Sequence, residues 1–292
     1  MISRKAFSMI ELVFVIVIMG IIGKFGTEFL AQSYNSFIFS KVNNTLQTQS
    51  STAVEFVSAR LQYRIKDSII GKNPDDDSYV ALSQADENHK VIEWIQTDME
   101  GFRGIDKPYW SSIIDLNHAD ASDTKLISPE TNTSDIDDLI KKLSYDGSNF
   151  GNAALYFIGS NNDIDGYGWD GDAITDQEHV IHPIKAGDEI NEFVPRNGET
   201  NATNSFSGID IYEYYKLSWT ANAVTIVDNN LTFYYDYQPW DGDKYTDGKH
   251  SVIMENVSTF RAMALGAVIK IQVCVKSKLI EEYSLCKEKT IF

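Results

Sequence analysis

The chain has 292 residues, a formal net charge of −17, 43% hydrophobic residues and 12% aromatic residues. This length and apolar content are sufficient for one large folded domain or two smaller ones. The negative charge argues against direct binding to nucleic acid or to anionic membrane surfaces, because both would repel the chain.

The first thirty residues contain the longest apolar run. Two basic residues, Arg4 and Lys5, come first, and an unbroken apolar run extends from Leu12 to Gly23. Further apolar residues extend the run, so the segment 7–30 reaches the roughly 20 residues that span a bilayer. The basic residues predict that the N-terminus stays in the cytoplasm while the remainder of the chain crosses the membrane.

Glu11 is the only charged residue between Lys5 and Lys24. A lone carboxylate at the edge of an apolar helix is costly in lipid, so it indicates a function. Two general interpretations of the segment are a cleavable secretory signal peptide and an ordinary membrane anchor. The signal peptide is not favoured, because no cleavage site of small residues follows the apolar run.

A third interpretation comes from the stretch Lys5-Ala6-Phe7-Ser8-Met9-Ile10-Glu11-Leu12. It resembles the processing site of type IV pilins and type II secretion pseudopilins, in which Glu is the fifth residue of the mature chain. A cut between Ala6 and Phe7 gives Glu11 that position. The family usually has Gly before the cut, where this chain has Ala6.

The resemblance implies a prepilin leader at 1–6 and processing by a prepilin peptidase at Lys5, Ala6 and Phe7, with methylation of Phe7. It also implies that Glu11 is an assembly residue that meets the N-terminal amine of a neighbouring subunit.

Residues 7 to about 70 are predicted to be mostly helical. Apolar residues recur at intervals of three or four as far as Ile69, and Gly71 and Pro74 are the expected stop. The polar segment 43–52 is the weakest part of this helix. We expect 7–30 to form the transmembrane or filament-core helix, 31–70 to continue it on the head, and 71–292 to form the head domain.

The head is predicted to be rich in antiparallel strands. A short helix is expected at 134–143 with a serine cap, a turn at 101–104, and loops at 72–90 and 117–133. Strand patterns occur at 91–95, 153–158, 180–182, 212–219, 224–227, 231–237, 252–254, 257–261 and 267–275. Short connections favour antiparallel neighbours, so the fold class is α+β, a long N-terminal helix packed on a β-rich head.

The stretch 161–172 has the spacing of a calcium-binding loop. Oxygen-bearing side chains stand at positions 1, 3, 5 and 12, which are Asn161, Asp163, Asp165 and Asp172, with a glycine at position 6. Asn replaces the usual first acid, and Asp172 replaces the long bidentate Glu. Some pseudopilins bind calcium, but the alternative is that the Asp-Gly pairs form tight turns, and both interpretations stay open.

A shorter fragment occurs twice, as Trp169-Asp-Gly-Asp-Ala-Ile-Thr-Asp176 and as Trp240-Asp-Gly-Asp-Lys-Tyr-Thr-Asp247. It repeats part of the calcium-type stretch. The alternative to calcium binding is that the Asp-Gly pairs form hairpin turns and the tryptophans cover the nearby surface.

The two cysteines, Cys274 and Cys286, are predicted to form a disulfide, because an even number in an exported protein favours pairing. Two free buried thiols are the alternative. No histidine lies near them in the sequence, so a zinc site is not favoured.

No catalytic motif, phosphate-binding glycine loop or dinucleotide fingerprint is present in the sequence. With 42 acidic residues, accidental carboxylate pairs are expected, so a glycosidase is not favoured. The five histidines are scattered and are interpreted as ordinary surface residues, including His179 and His182.

The resemblance as a whole implies a non-enzymatic minor pilin or pseudopilin. The closing stretches 256–260 and 266–271 resemble those of the J-type minor pseudopilin and its type IV pilus counterpart. The implied partners are other pilins or pseudopilins, the prepilin peptidase and the inner membrane, with the C-terminal domain in the periplasm. A filament-borne adhesin or binding module is the alternative, and a membrane-anchored hydrolase is the third possibility.

Overall fold

The computed structural model describes residues 8–196, 205–280 and 283–292. Its first element is the helix α1, Met9–Leu61, which has 53 residues. The polar segment 43–52 does not interrupt it. The helix packs on a head of antiparallel sheets, which confirms the predicted α+β class.

The predicted end of the helix near residue 70 is wrong, because α1 ends at Leu61. The following residues pair with a strand instead. The N–H of Ile65 donates to the carbonyl oxygen of Ile95 at 2.9 Å, and the N–H of Thr97 donates to that of Tyr63 at 3.0 Å. Ile65 is fully buried although it lies outside the helix. The apolar pattern that extends past Leu61 therefore reflects burial and not a continuation of the helix.

Two further helices, α2 (Met99–Arg103) and α3 (Thr133–Leu143), belong to the head. The predicted turn at 101–104 therefore lies largely within α2. The predicted serine cap of α3 is also wrong: the side-chain oxygen of Asn132 accepts the N–H groups of Ser134 (3.1 Å) and Asp135 (3.2 Å). Asn132 precedes Ser134 by two residues, which places its side chain over the first turn.

The head strands occur in the following order. They are β1 (Ile70–Lys72), β2 (Tyr79–Ala81), β3 (Val91–Gln96), β4 (Leu126–Ile127), β5 (Ala154–Phe157), β6 (Ile181–Ala186), β7 (Glu192–Pro195), β8 (Tyr215–Ser218), β9 (Thr220–Val227), β10 (Asn230–Tyr237), β11 (Lys249–Met254), β12 (Val257–Leu265), β13 (Val268–Lys276) and β14 (Ser284–Ile291).

Within the described residues these strands form three sheets. One has the order β11-β10-β9-β3-β1-β2, the second β12-β13-β14, and the third β4-β7-β6-β5-β8. Only Trp219 separates β8 from β9, so the chain passes directly from the five-stranded to the six-stranded sheet. The sequence did not predict β14, since charged residues interrupt its apolar pattern.

The hydrophobic residues of the head form separate clusters. The first joins the second half of α1 to the six-stranded and three-stranded sheets, with Leu61, Phe233 and Val273 among its members. The second includes the buried rings of Tyr237 and Trp240. A further cluster joins α3 to the five-stranded sheet. The head is therefore built from several packed layers, and α1 belongs to only one of them.

Candidate functional site

The first half of α1 is not covered by the head. No residue of the helix before Val42 is buried, and large apolar side chains such as Phe14 (62% exposed) and Met19 (67% exposed) face outward. This part of the helix is long and apolar enough to cross a membrane, with a mean hydropathy of 2.2. In the described chain it is the single helix with that property. Contact with the head begins at Ile38 and Phe39, the latter 5.1 Å from the ring of Tyr283. We call residues 9–37 the free half of α1.

The second half of α1 has a different environment. Val42, Leu46, Ala53, Val57 and Leu61 are buried at helical spacing and contact the sheets of the head. The same helix therefore presents an uncovered apolar surface at one end and a packed stripe at the other. Apolar surface of this extent in water is unfavourable, so the free half requires a lipid or protein environment.

Glu11 lies in the first turn of α1 and takes part in a capping box. Its Oε2 accepts the backbone N–H of Ser8 at 3.0 Å and the Ser8 hydroxyl at 3.1 Å. In return, the Ser8 Oγ accepts the N–H of Glu11 at 3.4 Å. This arrangement satisfies end groups of the helix and holds a carboxylate at its positive end. The predicted processing residues Lys5, Ala6 and Phe7 lie outside the described residues.

The four predicted calcium ligands are held in local turns. The Oδ1 atoms of Asn161 and Asp163 accept the N–H groups of Asp163 (3.1 Å) and Asp165 (3.2 Å). The Oδ1 of Asp165 accepts the hydroxyl of Tyr79 at 2.9 Å, and Asp172 is exposed. Among the described residues, no three His, Cys, Asp or Glu side chains are grouped as metal ligands. The calcium site stays a prediction.

The two Trp-Asp-Gly-Asp fragments lie against each other. Ala173 and Asp241 form an antiparallel bridge, and both Trp169 and Trp240 are buried in the same cluster. The tryptophans were expected to cover surface, but they fill the core because the paired turns point both rings inward. The two fragments thus have a structural role, because their pairing fills this part of the core.

The predicted disulfide is confirmed. Cys274 and Cys286 are directly opposite each other on β13 and β14, with their Cα atoms 4.0 Å apart. The bond joins two strands that pack against the second half of α1.

The interpretation of His182 as a surface residue is wrong. Its side chain is 4% exposed and its ring lies 5.0 Å from the ring of Phe157. Burial lowers the pKa of His182 to about 4, because the charged imidazolium is poorly solvated there. His182 lies on β6, where four consecutive residues are buried, so both faces of the strand are covered. Alternation along the sequence therefore does not indicate which of these side chains is buried.

Comparison with protein-family models, with curated proteins and with solved structures found no significant match for this chain.

Proposed function

We propose that the chain is a minor pilin or pseudopilin, a non-enzymatic subunit that is anchored in the inner membrane and assembles into a periplasmic filament. The observation that supports this most directly is the division of α1 into an uncovered apolar half and a half that packs into the head. An anchor alone needs only the first half. A helix that continues unbroken into the head connects the membrane segment rigidly to the head, as a filament subunit requires.

The position of Glu11 supports the same proposal. It is the first charged residue of α1, and the next ones, Lys24 and Glu28, lie 3.9 Å apart as an ion pair near the other end of the apolar run. A carboxylate at the helix end that enters the apolar zone requires a partner. The amine of a neighbouring subunit, created by cleavage before Phe7, would neutralise it.

The size of the head favours a position at the start or tip of a filament. The described head contains three sheets and two helices in addition to α1. A body of this size fits poorly in every layer of a tightly packed fibre. The size of the head therefore fits an initiating or capping subunit better than a major subunit.

The proposal is tested by photo-crosslinking in the native host. A photoreactive amino acid replaces Ile18, in the free half of α1, and in a control chain it replaces Tyr145, which is 83% exposed on the head. We expect position 18 to crosslink to other proteins with pilin-like N-terminal helices. Mass spectrometry of the same sample should find a mature chain that begins at Phe7.

Two results would contradict the proposal. One is an intact N-terminus that does not change when the prepilin peptidase is deleted. The other is the absence of any protein crosslink from position 18, which would leave the free half of α1 as a simple lipid anchor.

A further inference from the structure

A cleft of about 320 Å³ opens between the last turns of α1 and the face of the six-stranded sheet. We call it the Arg60 cleft. Its lining includes Phe56, Arg60, Gln96, Trp219, Asn222 and Tyr235. Small-molecule sites have volumes of about 300 to 1,000 Å³, so the cleft is of a size for one small ring.

One wall of the Arg60 cleft is aromatic. The rings of Phe233 and Tyr235 are stacked 5.7 Å apart, and Phe56 meets Phe233 edge to face at 5.2 Å. The guanidinium of Arg60 lies 5.6 Å from the Phe56 ring and 5.9 Å from the Phe233 ring. These cation–π contacts position Arg60, while its guanidinium N–H groups have no acceptor among the described residues.

Another part of the lining, on the adjacent strand β9, supplies an oriented acceptor. The Nδ2 of Asn222 donates to the Oε1 of Gln96 at 3.0 Å, and the same Oε1 accepts the indole N–H of Trp94 at 3.1 Å. The Gln96 oxygen is thereby fixed between two donors, and this fixes the amide of Asn222. The side-chain oxygen of Asn222 then has no donor among the described residues and remains available to a ligand.

The charges of the cleft do not favour an ion of one sign. Its charged lining residues are Arg60, Asp98 and Glu100. The Asp98 carboxylate is already engaged, because its Oδ1 accepts the N–H of Gly101 (3.1 Å) and its Oδ2 accepts the indole N–H of Trp110 (3.2 Å). The cleft therefore combines aromatic faces, an open donor and an open acceptor with little net charge.

We propose that the Arg60 cleft binds one uncharged sugar ring. A pyranose has a C–H face that packs on aromatic rings, and each of its hydroxyl groups both donates and accepts hydrogen bonds. Arg60 would donate to one hydroxyl and the Asn222 oxygen would accept from another. This activity goes beyond the proposed assembly role, since it makes the head a binding module.

The test uses the full-length chain in a detergent without a sugar headgroup. D-glucose, D-galactose and N-acetyl-D-glucosamine are titrated separately by calorimetry, with tryptophan fluorescence as a second signal because Trp219 lines the cleft. We expect saturable binding of at least one sugar, with a Kd of about 1 mM, which is typical of the affinity that so few atoms provide.

Two variants locate the binding. Arg60→Met retains the unbranched apolar stem of the side chain and removes the guanidinium hydrogen-bond donors. We expect it to weaken sugar binding about tenfold. Ser251→Trp places a bulky ring at an exposed position of the lining, and we expect it to abolish binding. Arg103→Met is the matched control, because Arg103 lies 5.7 Å from the ring of Tyr63 outside the cleft.

The proposal is overturned if none of the three sugars binds saturably at concentrations up to about 100 mM, well above the expected Kd. It is equally overturned if a sugar binds but Arg60→Met and Ser251→Trp bind it as the unmodified chain does. Circular dichroism of each variant checks that its fold is retained. Neither result bears on filament assembly, which the crosslinking experiment tests separately.

Discussion

The backbone N–H of Ile174 donates to the carbonyl oxygen of Trp240 at 3.0 Å, and this bond joins the two Trp-Asp-Gly-Asp turns. The close approach depends on glycine. Gly168 has a φ of +82°, and a Cβ there would lie 2.6 Å from the carbonyl oxygen of Pro239. Gly171 has a similar φ of +87°, but its Cβ would meet only the flexible side chain of Lys244 at 3.4 Å.

Gly168→Ala should therefore destabilise the head more than Gly171→Ala. Both variants incur the cost of a positive φ, about 1 kcal/mol, and Gly168→Ala adds a backbone clash of about 2 kcal/mol. Denaturant unfolding followed by tryptophan fluorescence measures the difference. Equal losses in the two variants would show that the two turns do not depend on close contact.

His182 should make stability fall at acidic pH. The unfolded chain takes up a proton at His182 near pH 6.5, whereas the folded chain resists protonation until its pKa of about 4. The contribution of neutral His182 to the free energy of unfolding is thus fully present above pH 6.5. It decreases as the pH falls towards 4, by about 3 kcal/mol in total.

His182→Gln should remove this part of the pH dependence. His250→Gln is the matched control, since it makes the same replacement at a histidine that is exposed. The free energy of unfolding is measured between pH 4 and 7 for the three chains. If His182→Gln has the same profile as the unmodified chain, His182 is not the buried neutral group described above.

Cys286→Ser should destabilise the head by about 3 kcal/mol, because the disulfide closes a short loop in the unfolded chain. The unmodified chain in reductant should show a similar loss, which separates the bond from any effect of the serine. Thiol labelling of the unfolded, unreduced chain is the direct check. Two reactive thiols there would contradict the bond between Cys274 and Cys286.

The calcium hypothesis has a calorimetric test. If Asp163, Asp165 and Asp172 bind calcium, titration at about 1 mM calcium should release or absorb heat, and a chelator should lower the melting temperature. A triple Asp→Asn variant at these positions should lose both effects. The absence of a binding heat in the unmodified chain would leave only the turn interpretation.

Glu11→Val should leave membrane insertion and the proposed peptidase processing intact, because the apolar helix and the proposed cut site remain. If the proposed function holds, co-purification with partner pilins should fall sharply, since the carboxylate proposed to meet the neighbouring amine is lost. Glu11→Asp should be intermediate, because its shorter side chain reaches less far. Glu28→Val is the matched control, since Glu28 is another exposed carboxylate of α1.

A further variant separates assembly from helix capping. Glu11→Gln retains a side-chain oxygen that can accept the N–H of Ser8, but it carries no charge. We expect it to assemble as poorly as Glu11→Val. Assembly at the level of the unmodified chain would mean that Glu11 serves only the capping box, and the proposed assembly contact would have to be abandoned.

The sequence by itself determined the features that depend on local pattern. The apolar run and the spacing of three or four residues predicted α1, and short runs of strand-forming residues bounded by turn residues predicted β3, β5, β10 and β13. The cysteine count predicted the disulfide. Each of these signals lies within a short stretch of chain, so no distant contact is needed to interpret it.

Only the tertiary structure decided the features that depend on distant residues. The helix ends at Leu61 because Ile65 pairs with Ile95 of β3 and Tyr63 pairs with Thr97 directly after it, about thirty positions further along the chain. The Arg60 cleft likewise combines residues of α1, β3 and β9. Burial and pairing between distant segments outweigh local preference wherever they conflict, because packing contributes more free energy than helix propensity does.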